Sequence, residues 1–221
     1  MVIAIDGPAG SGKSTIAKML AKRLGFKYLD TGAMYRALTW RAMQKGINLE
    51  DEHALCRLMD QTTIDFQSSE DGLFIFVDGT DVTKEIRLPS VTNNVHYISD
   101  TRNVRRRMVE LQQKLASDAH VVAEGRDIGT VVFPRAEKKF FLDANIEERA
   151  KRRYTEFKPS ESKISLDDVS RDIESRDRRD TTRINSPLTR ADDAIYLDTT
   201  KLTIDEVFTI ILGDIEPVLK K

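Results

Sequence analysis

Gly7-Pro8-Ala9-Gly10-Ser11-Gly12-Lys13-Ser14 is the stretch that decides the fold of this 221-residue chain. Its spacing, a glycine, four residues, then Gly-Lys-Ser, is that of a phosphate-binding loop. Before it, Val2–Asp6 is a short apolar run typical of a buried strand, and residues 15–24 after it have helical spacing that stops at Gly25. Strand, glycine-rich loop and helix together are the context that this motif requires. The sequence therefore predicts an α/β domain that binds a nucleoside triphosphate.

The loop residues have distinct expected roles. The glycines let successive N–H groups turn inward toward a polyphosphate, and the new helix adds its own free N–H groups. We expect Lys13 to face solvent before a ligand binds and then to reach the β- and γ-phosphates, while the Ser14 hydroxyl ligates Mg²⁺. The predicted triphosphate-binding residues are Gly7, Pro8, Ala9, Gly10, Ser11, Gly12, Lys13, Ser14 and Thr15.

Composition argues against several classes of protein. Lys and Arg total 35 against 36 Asp and Glu, and this near-neutral balance disfavours a protein that binds duplex DNA through bulk electrostatics. The one cysteine, Cys56, excludes an intrachain disulfide and lies in a helical apolar pattern that predicts a buried thiol. Met1-Val2-Ile3 does not resemble a secretion signal, and no apolar run approaches the roughly 18 residues of a membrane span. We therefore expect a cytoplasmic protein without a membrane partner.

Short apolar runs alternate with helical patterns, which is typical of a parallel sheet covered by helices on both faces. Strand character is found at residues 26–30, 119–123, 138–142 and 194–197. Helical patterns cover residues 33–44, 51–60, 101–117, 146–157, 165–179 and 203–212. The stretch 62–86 breaks this rhythm with three short β-type runs, separated by hairpin-type turns at 69–72 and 78–80. We expect a small antiparallel insert there, placed to hold a second substrate.

Arginines are concentrated in three clusters, and arginine suits the neutralisation of charge on a transferring phosphoryl group. The clusters are Arg102, Arg105, Arg106 and Arg107; Arg149, Arg152 and Arg153; and Arg171, Arg176, Arg178, Arg179, Arg183 and Arg190. Four of these are expected to be solvated surface residues: Arg102, Arg107, Arg171 and Arg178. Within residues 176–183, Asp177 and Asp180 are placed to hold guanidinium groups in position.

Two further motifs follow predicted strands, at the sheet edge where parallel α/β proteins bind ligands. The first is Asp30-Thr31-Gly32-Ala33-Met34-Tyr35-Arg36. Asp30 or Thr31 would serve as a helix cap, but a cap does not account for Tyr35 and Arg36. The second is Glu124-Gly125-Arg126-Asp127-Ile128-Gly129-Thr130, whose two glycines indicate a backbone that passes close to a ligand.

These motifs resemble those of bacterial cytidylate kinases. The resemblance is carried by residues 7–15, 29–36, 124–134 and 176–183, in that order along nearly the whole chain. It implies a nucleoside monophosphate kinase fold: one kinase domain over residues 1–221 with a parallel five-stranded sheet. It also implies a monophosphate-binding part at about 31–100 that bears the insert, and a short mobile lid at about 149–165. The implied reaction is ATP with CMP or dCMP, giving ADP with CDP or dCDP, in the presence of Mg²⁺, and we expect a monomer.

The resemblance also implies roles for individual residues. The catalytic group is Lys13, Arg126, Asp127 and Arg153. The residues around CMP are Thr31, Tyr35, Arg36, Arg105, Arg126, Asp127, Arg176, Asp180 and Arg183. Thr31 stands where many relatives have serine and keeps the hydroxyl, and Asp180 is placed for the sugar. The arginines at 149–153 are implied to find phosphate partners only when both substrates are bound.

Three other interpretations stay open at this point. One is another small-molecule kinase, such as a uridylate/cytidylate kinase of broader range or a shikimate-type kinase. A second is a nucleotide-dependent switch, although the sequence contains no guanine-reading Asn-Lys-x-Asp motif. The third is a nucleic-acid-binding module that uses the arginine-rich segment, and the near-zero net charge counts against it.

Overall fold

The computed structural model describes residues 1–69, 72–156 and 165–219. The chain forms two compact units, Met1–Leu29 with Ala116–Lys221 and Asp30–Leu115. The strands are β1 (Val2–Asp6), β2 (Lys27–Asp30), β3 (Ile64–Ser69), β4 (Gly72–Val77), β5 (Thr80–Asp81), β6 (Val121–Gly125), β7 (Lys138–Asp143) and β8 (Ile195–Asp198). The helices are α1 (Lys13–Leu24), α2 (Thr31–Gln44), α3 (Glu52–Asp60), α4 (Pro89–Thr92), α5 (Val95–Ser99), α6 (Arg102–Ala116), α7 (Ile146–Glu156), α8 (Leu166–Thr182) and α9 (Ile204–Leu219).

The larger sheet has five strands in the order β2-β6-β1-β7-β8 and confirms the predicted parallel α/β class. β1 pairs in parallel with β6 and β7, and β7 pairs in parallel with β8. The carboxyl ends of these strands therefore lie at one edge, where β1 leads into the phosphate loop. β6 begins two residues later than predicted, so Glu124 and Gly125 lie inside the strand instead of after it.

The core of the first unit lies between the central strands and the helices α1 and α9. Ile3, Ile5 and Phe140 from the sheet are at most 2% exposed. Burial of such a side chain contributes about 1.5–3 kcal/mol. α9 extends beyond its predicted end at residue 212, because Ile211 and Ile215 continue the buried face of the helix. This packing anchors both ends of the loop, the end of β1 and the start of α1.

The second unit contains the predicted insert as a three-stranded antiparallel sheet with the order β3-β4-β5. Its register sets Ile64 opposite Val77 and buries Ile75 completely. Residues 70 and 71 of the first predicted turn lie outside the described residues. The short helices α4 and α5 were not predicted, because four or five residues are too few to show a helical period.

Three smaller expectations are corrected or limited by the structure. Cys56 on α3 is half-buried, not fully buried as its pattern predicted. Arg107 is not a solvated surface residue, since its Nη1 donates to the Cys56 carbonyl at 2.7 Å and lies 2.5 Å from Asp60 Oδ2. Arg102, Arg171 and Arg178 are exposed as expected.

Of the predicted lid at 149–165, residues 157–164 lie outside the described residues. Within the described ranges, none of the helices is long and apolar enough to cross a membrane.

Candidate active site

The phosphate loop, residues 7–14, needs glycine where neighbouring backbones approach it. A Cβ on Gly7, which has a φ of 147°, would overlap the Leu142 carbonyl oxygen at the end of β7. A Cβ on Gly10, with a φ of 77°, would lie 3.0 Å from the Arg149 carbonyl oxygen on α7. These glycines therefore let β7 and α7 pack directly against the loop.

Lys13 does not face solvent, and that expectation was wrong. The residue is only 4% exposed, and its Nζ donates to the Pro8 carbonyl at 2.6 Å and to Ser11 Oγ at 3.3 Å. Burial lowers the pKa of Lys13 to about 7, and the nearby Arg126 guanidinium acts in the same direction. The physical reason is that the curled loop turns acceptors toward the lysine, and buried acceptors require a donor. The ammonium group is therefore already engaged by the loop.

Asp6, the last residue of β1, is a buried carboxylate that sequence reasoning missed. It accepts hydrogen bonds from the backbone N–H groups of Ile128 at 2.8 Å and Gly129 at 2.7 Å. Burial raises the pKa of Asp6 to about 6, although these two hydrogen bonds act to lower it. A Cβ on Gly129 would lie 3.1 Å from Lys139 Cδ and 3.3 Å from Asp6 Oδ2. A side chain at position 129 would therefore crowd Lys139 and Asp6, and the predicted approach of this backbone to a ligand stays a prediction.

The turn after β6 places two predicted site residues. Asp127 begins a single π-helical turn over Ile128–Val132, in which the Val132 N–H donates to the Asp127 carbonyl at 3.1 Å. π-Helical turns are rare in proteins, and many of the known examples lie at functional sites. Because Asp6 accepts hydrogen bonds from the start of this turn, Arg126 and Asp127 are fixed next to the first residues of the phosphate loop.

Four predicted residues of the first unit come together as charged pairs. Arg126 Nε donates to Asp180 Oδ2 at 2.8 Å. Arg183 Nη2 lies 3.8 Å from Asp127 Oδ1, and its Nη1 lies 4.0 Å from Asp180 Oδ1. Burial acts to lower the pKa of Arg126 and to raise that of Asp180, but their mutual attraction together with other nearby charges outweighs burial, so that the pKa of Arg126 is raised and that of Asp180 is lowered. Arg126 and Asp180 are therefore both charged at neutral pH.

Arg176 of α8 and Arg153 of α7 are two further predicted site residues, and they influence each other through their charges. Arg176 Nε lies 3.0 Å from Asp172 Oδ2, one turn earlier on α8. Burial lowers the pKa of Arg176, Asp172 opposes this, and the positive charge of Arg153 on α7 lowers it further. The two helices thus bring cationic groups close together, as expected of a surface that binds an anion.

The other two arginines of α7 already have partners within the protein, and the phosphate-binding role implied for them stays a prediction. Arg149 Nη1 donates to the Ala9 carbonyl of the loop at 3.0 Å and also pairs with Asp177. Arg152 Nη2 donates to the Thr199 carbonyl at 2.7 Å. Arg149 is thus held against the loop, and Arg152 is held against Thr199, which follows β8. Asp177 and Asp180 do hold guanidinium groups, but their hydrogen-bonded partners are Arg149 and Arg126, which lie outside residues 176–183.

In the second unit, Asp30 is the N-cap of α2. Its Oδ1 accepts from the Ala33 N–H at 2.7 Å, and its Oδ2 accepts from Arg36 Nη2 at 3.1 Å. The helix-cap interpretation of this motif is confirmed, and the same carboxylate also holds Arg36, while the ligand-binding role of Tyr35 and Arg36 stays a prediction. Thr31 follows in the first turn of α2 and is 4% exposed.

Arg105 and Tyr35, which were predicted separately as residues around CMP, lie against each other in this unit. The Arg105 guanidinium lies 5.3 Å from the centroid of the Tyr35 ring, and its Nη1 donates to the Ser99 carbonyl at 3.0 Å. Arg105 is only 4% exposed. Such a cation above an aromatic ring is held in place before any ligand binds.

The exposed Ser14 in the first turn of α1 fits the hydroxyl ligand expected for Mg²⁺. Across residues 1–69, 72–156 and 165–219, no group of three or more His, Cys, Asp or Glu side chains could hold a metal. Mg²⁺ is commonly bound by one or two protein oxygens together with substrate phosphates, so a large acidic cage is not required.

Comparisons with known proteins agree with this geometry. The family model for cytidylate kinase matches residues 3–217. A cytidylate kinase of Lactobacillus johnsonii is 50% identical over 207 residues, which are 94% of this chain and 90% of that protein. One of Enterococcus faecalis is 51% identical over 209 residues, 95% of this chain and 92% of that protein. The solved structure of an uncharacterized protein from Eubacterium ventriosum covers 98% of both chains with a TM-score of 0.55 and 14% identity, a likeness of fold alone. The chain belongs to the cytidylate kinase family and is a phosphotransferase that phosphorylates a nucleotide with ATP.

Proposed function

We propose that this protein transfers the γ-phosphoryl group of ATP directly to CMP and dCMP, by in-line displacement with Mg²⁺. The observation that supports this most is the buried Lys13 of the phosphate loop in the same unit as the Arg126–Asp180 pair. A reaction between two anions requires positive charge and fixed orientation, and Lys13 together with an Arg126 held in place by Asp180 would supply both.

On the donor side, the proposed ligands of the ATP phosphates are residues 7–15. The N–H groups at the start of α1 and the positive end of its dipole favour the polyphosphate. Lys13 supplies a positive charge next to the groups between which the phosphoryl moves. When bound, Mg²⁺ would be held by the Ser14 hydroxyl and would neutralise phosphate charge.

On the acceptor side, the residues predicted to surround CMP keep the roles proposed for them. In the second unit, Arg36 and Arg105 are proposed for the phosphate of CMP, and Thr31 and Tyr35 for the nucleoside. In the first unit, Arg126 is proposed for the same phosphate and Asp180 for the sugar. The remaining first-unit residues proposed around CMP are Asp127, Arg176 and Arg183.

The reaction needs little covalent help from the protein. The acceptor phosphate is already an anion, so no strong general base is required. The protein must align two charged groups, compensate their repulsion and keep water from the γ-phosphate. Arg153 and the proposed lid at 149–165 would contribute to the last of these tasks. A monomeric, cytoplasmic enzyme without nucleic-acid partners completes the proposal.

The deciding experiment is an ADP-release assay with the full chain and each common nucleoside monophosphate, with shikimate as a further acceptor. We expect kcat/KM for CMP and dCMP to exceed that for AMP and GMP by on the order of 10²-fold or more, because polar groups shaped for one base are left unpaired by another. EDTA should abolish turnover, and added Mg²⁺ should restore it. Equal rates with AMP, or a preference for shikimate, would contradict the proposal.

A further inference from the structure

Ala9 in the phosphate loop is held on both its carbonyl and its N–H by side chains from outside the loop. Its carbonyl accepts from Arg149 Nη1 at 3.0 Å, and its N–H donates to Asp177 Oδ1 at 3.4 Å. Arg149 and Asp177 are also paired with each other through Nη1 and Oδ2. The three residues, from the loop, α7 and α8, therefore form a closed triangle of polar contacts.

Arg149 has little freedom to do anything else in this arrangement. Its side chain is only 9% exposed. Its Nε donates to the Ala144 carbonyl at 2.8 Å, just before α7 begins. Its Cβ would lie 3.1 Å from a Cβ on Gly10, so the stem of the side chain packs against the loop itself. The guanidinium is thus fixed by partners on both sides.

The consequence for the loop follows from peptide geometry. In a planar trans peptide, the carbonyl of one residue and the N–H of the next point in opposite directions. The Ala9 carbonyl is turned toward Arg149, so the N–H of Gly10 is turned away from α7. Phosphate loops bind anions because their N–H groups converge on one side. The direction of the Ala9 carbonyl is therefore a condition for that convergence.

We propose that Arg149 and Asp177 are positioning residues that set the orientation of the Ala9–Gly10 peptide and thereby the affinity of the loop for ATP. This rests on the proposed function only in that ATP is the ligand of the loop. Asp177 is the informative member, because a carboxylate does not bind a phosphate directly. Removing a negative charge near a polyanion would by simple electrostatics tighten binding, whereas loss of a positioning residue weakens it.

The test measures binding of Mg²⁺-ATP to the full chain by titration calorimetry for Asp177→Ala, Arg149→Ala and the double variant. Asp177→Ala should raise the Kd for ATP about tenfold, the usual effect of losing hydrogen bonds to a charged group. Arg149→Ala should be at least as damaging as the double variant, because it leaves the Asp177 carboxylate unpaired beside the loop. In turnover assays, KM for ATP should rise more than KM for CMP.

Asp214→Ala is the matched control, since Asp214 accepts from Lys138 Nζ at 2.6 Å in the same unit and does not contact the loop. Its Kd for ATP should stay within about twofold of wild type. Unchanged or tighter ATP binding in Asp177→Ala, or an equal loss in Asp214→Ala, would overturn the proposal.

A second variant covers the case in which Asp177→Ala does not fold. Asp177→Asn keeps the shape and an acceptor for the Ala9 N–H but loses the ionic partner of Arg149, and its Kd should rise about threefold. Unchanged or tighter binding here also counts against the proposal. The experiments distinguish failure of this proposal from failure of the proposed function. If the wild type binds ATP but does not phosphorylate CMP, the kinase function is contradicted. The comparison of Kd values for ATP still tests the positioning role of Asp177 in that case.

Discussion

Helix α1 begins after the phosphate loop that follows β1, and helix α2 begins directly after β2. The two N-termini differ in whether a side chain of the protein caps them. α1 starts at the left-handed Gly12, and among the residues described no side chain caps it or places a carboxylate in its first turn. α2 starts at Asp30, whose carboxylate accepts from the Ala33 N–H and holds Arg36. The positive end of the α1 dipole is therefore available to an anion, whereas that of α2 is neutralised by the chain itself. The difference supports the proposal that backbone N–H groups and Lys13 bind the ATP phosphates at the start of α1, and that arginine side chains such as Arg36 bind the acceptor phosphate.

The largest expected effect is that of Lys13→Ala on the α1 side of this comparison. We expect kcat to fall by about 10²–10³-fold, because a cation next to the transferring phosphoryl group is lost. The Pro8 carbonyl and Ser11 Oγ also lose their shared donor, so the loop should loosen while the rest of the first unit stays folded. Steady-state assays with circular dichroism check both parts, and turnover near the wild-type rate would remove Lys13 from the site.

The α2 side is tested by Arg36→Ala. If arginine side chains bind the acceptor phosphate there, KM for CMP should rise about tenfold or more while KM for ATP stays constant. Arg41→Ala is the matched control, because Arg41 lies on the same helix and pairs with Asp78 at 2.7 Å. Equal KM values for CMP in the two variants would assign Arg36 to structure alone.

A pH dependence should appear on the α1 side only. In the free protein, burial lowers the pKa of Lys13 to about 7 from the usual 10.5. A bound polyphosphate favours the charged ammonium, so binding takes up a proton, and affinity for ATP should fall as pH rises above about 7. Binding of CMP does not involve Lys13 in this account, so CMP binding should show no matching decline. Calorimetry at pH 8 in buffers of different ionisation enthalpy measures the uptake, and an enthalpy independent of buffer would contradict this.

The smallest effect is expected from the cap itself. Asp30→Ala should lower the free energy of unfolding by about 1 kcal/mol, the usual effect of removing an N-cap. Asp51→Ala provides the control, since Asp51 caps α3 in the same way by accepting from the Ala54 N–H at 2.9 Å. Both variants should lose comparable stability in urea unfolding, but only Asp30→Ala should raise KM for CMP, because only Asp30 also holds Arg36. Equal KM values for CMP in the two variants would show that the cap at Asp30 does not affect the binding of CMP.

Local patterns account for what could be predicted from the sequence. The phosphate loop, the apolar runs that form the strands and the hairpin that pairs Ile64 with Val77 are each encoded by residues close together in the chain. The cap at Asp30 was likewise readable from its own motif.

Features that depend on distant partners could not be predicted. The role of Arg149 depends on Asp177, 28 positions away, and on Ala9, 140 positions away. The burial of Lys13 depends on how the loop curls in three dimensions, and a motif does not report that. The residue types thus indicated a site for anions. The hydrogen-bond and ion-pair partners of each arginine could be identified only from the folded structure.

The central claim, that this chain moves the γ-phosphoryl group of ATP to a cytidine monophosphate, is tested most directly by a single-turnover competition. Enzyme in excess over ATP labelled at its γ-phosphate is mixed with equimolar CMP and AMP in the presence of Mg²⁺, and the products are separated. The account predicts that the label is recovered in CDP. Label recovered mainly in ADP or in inorganic phosphate would contradict it.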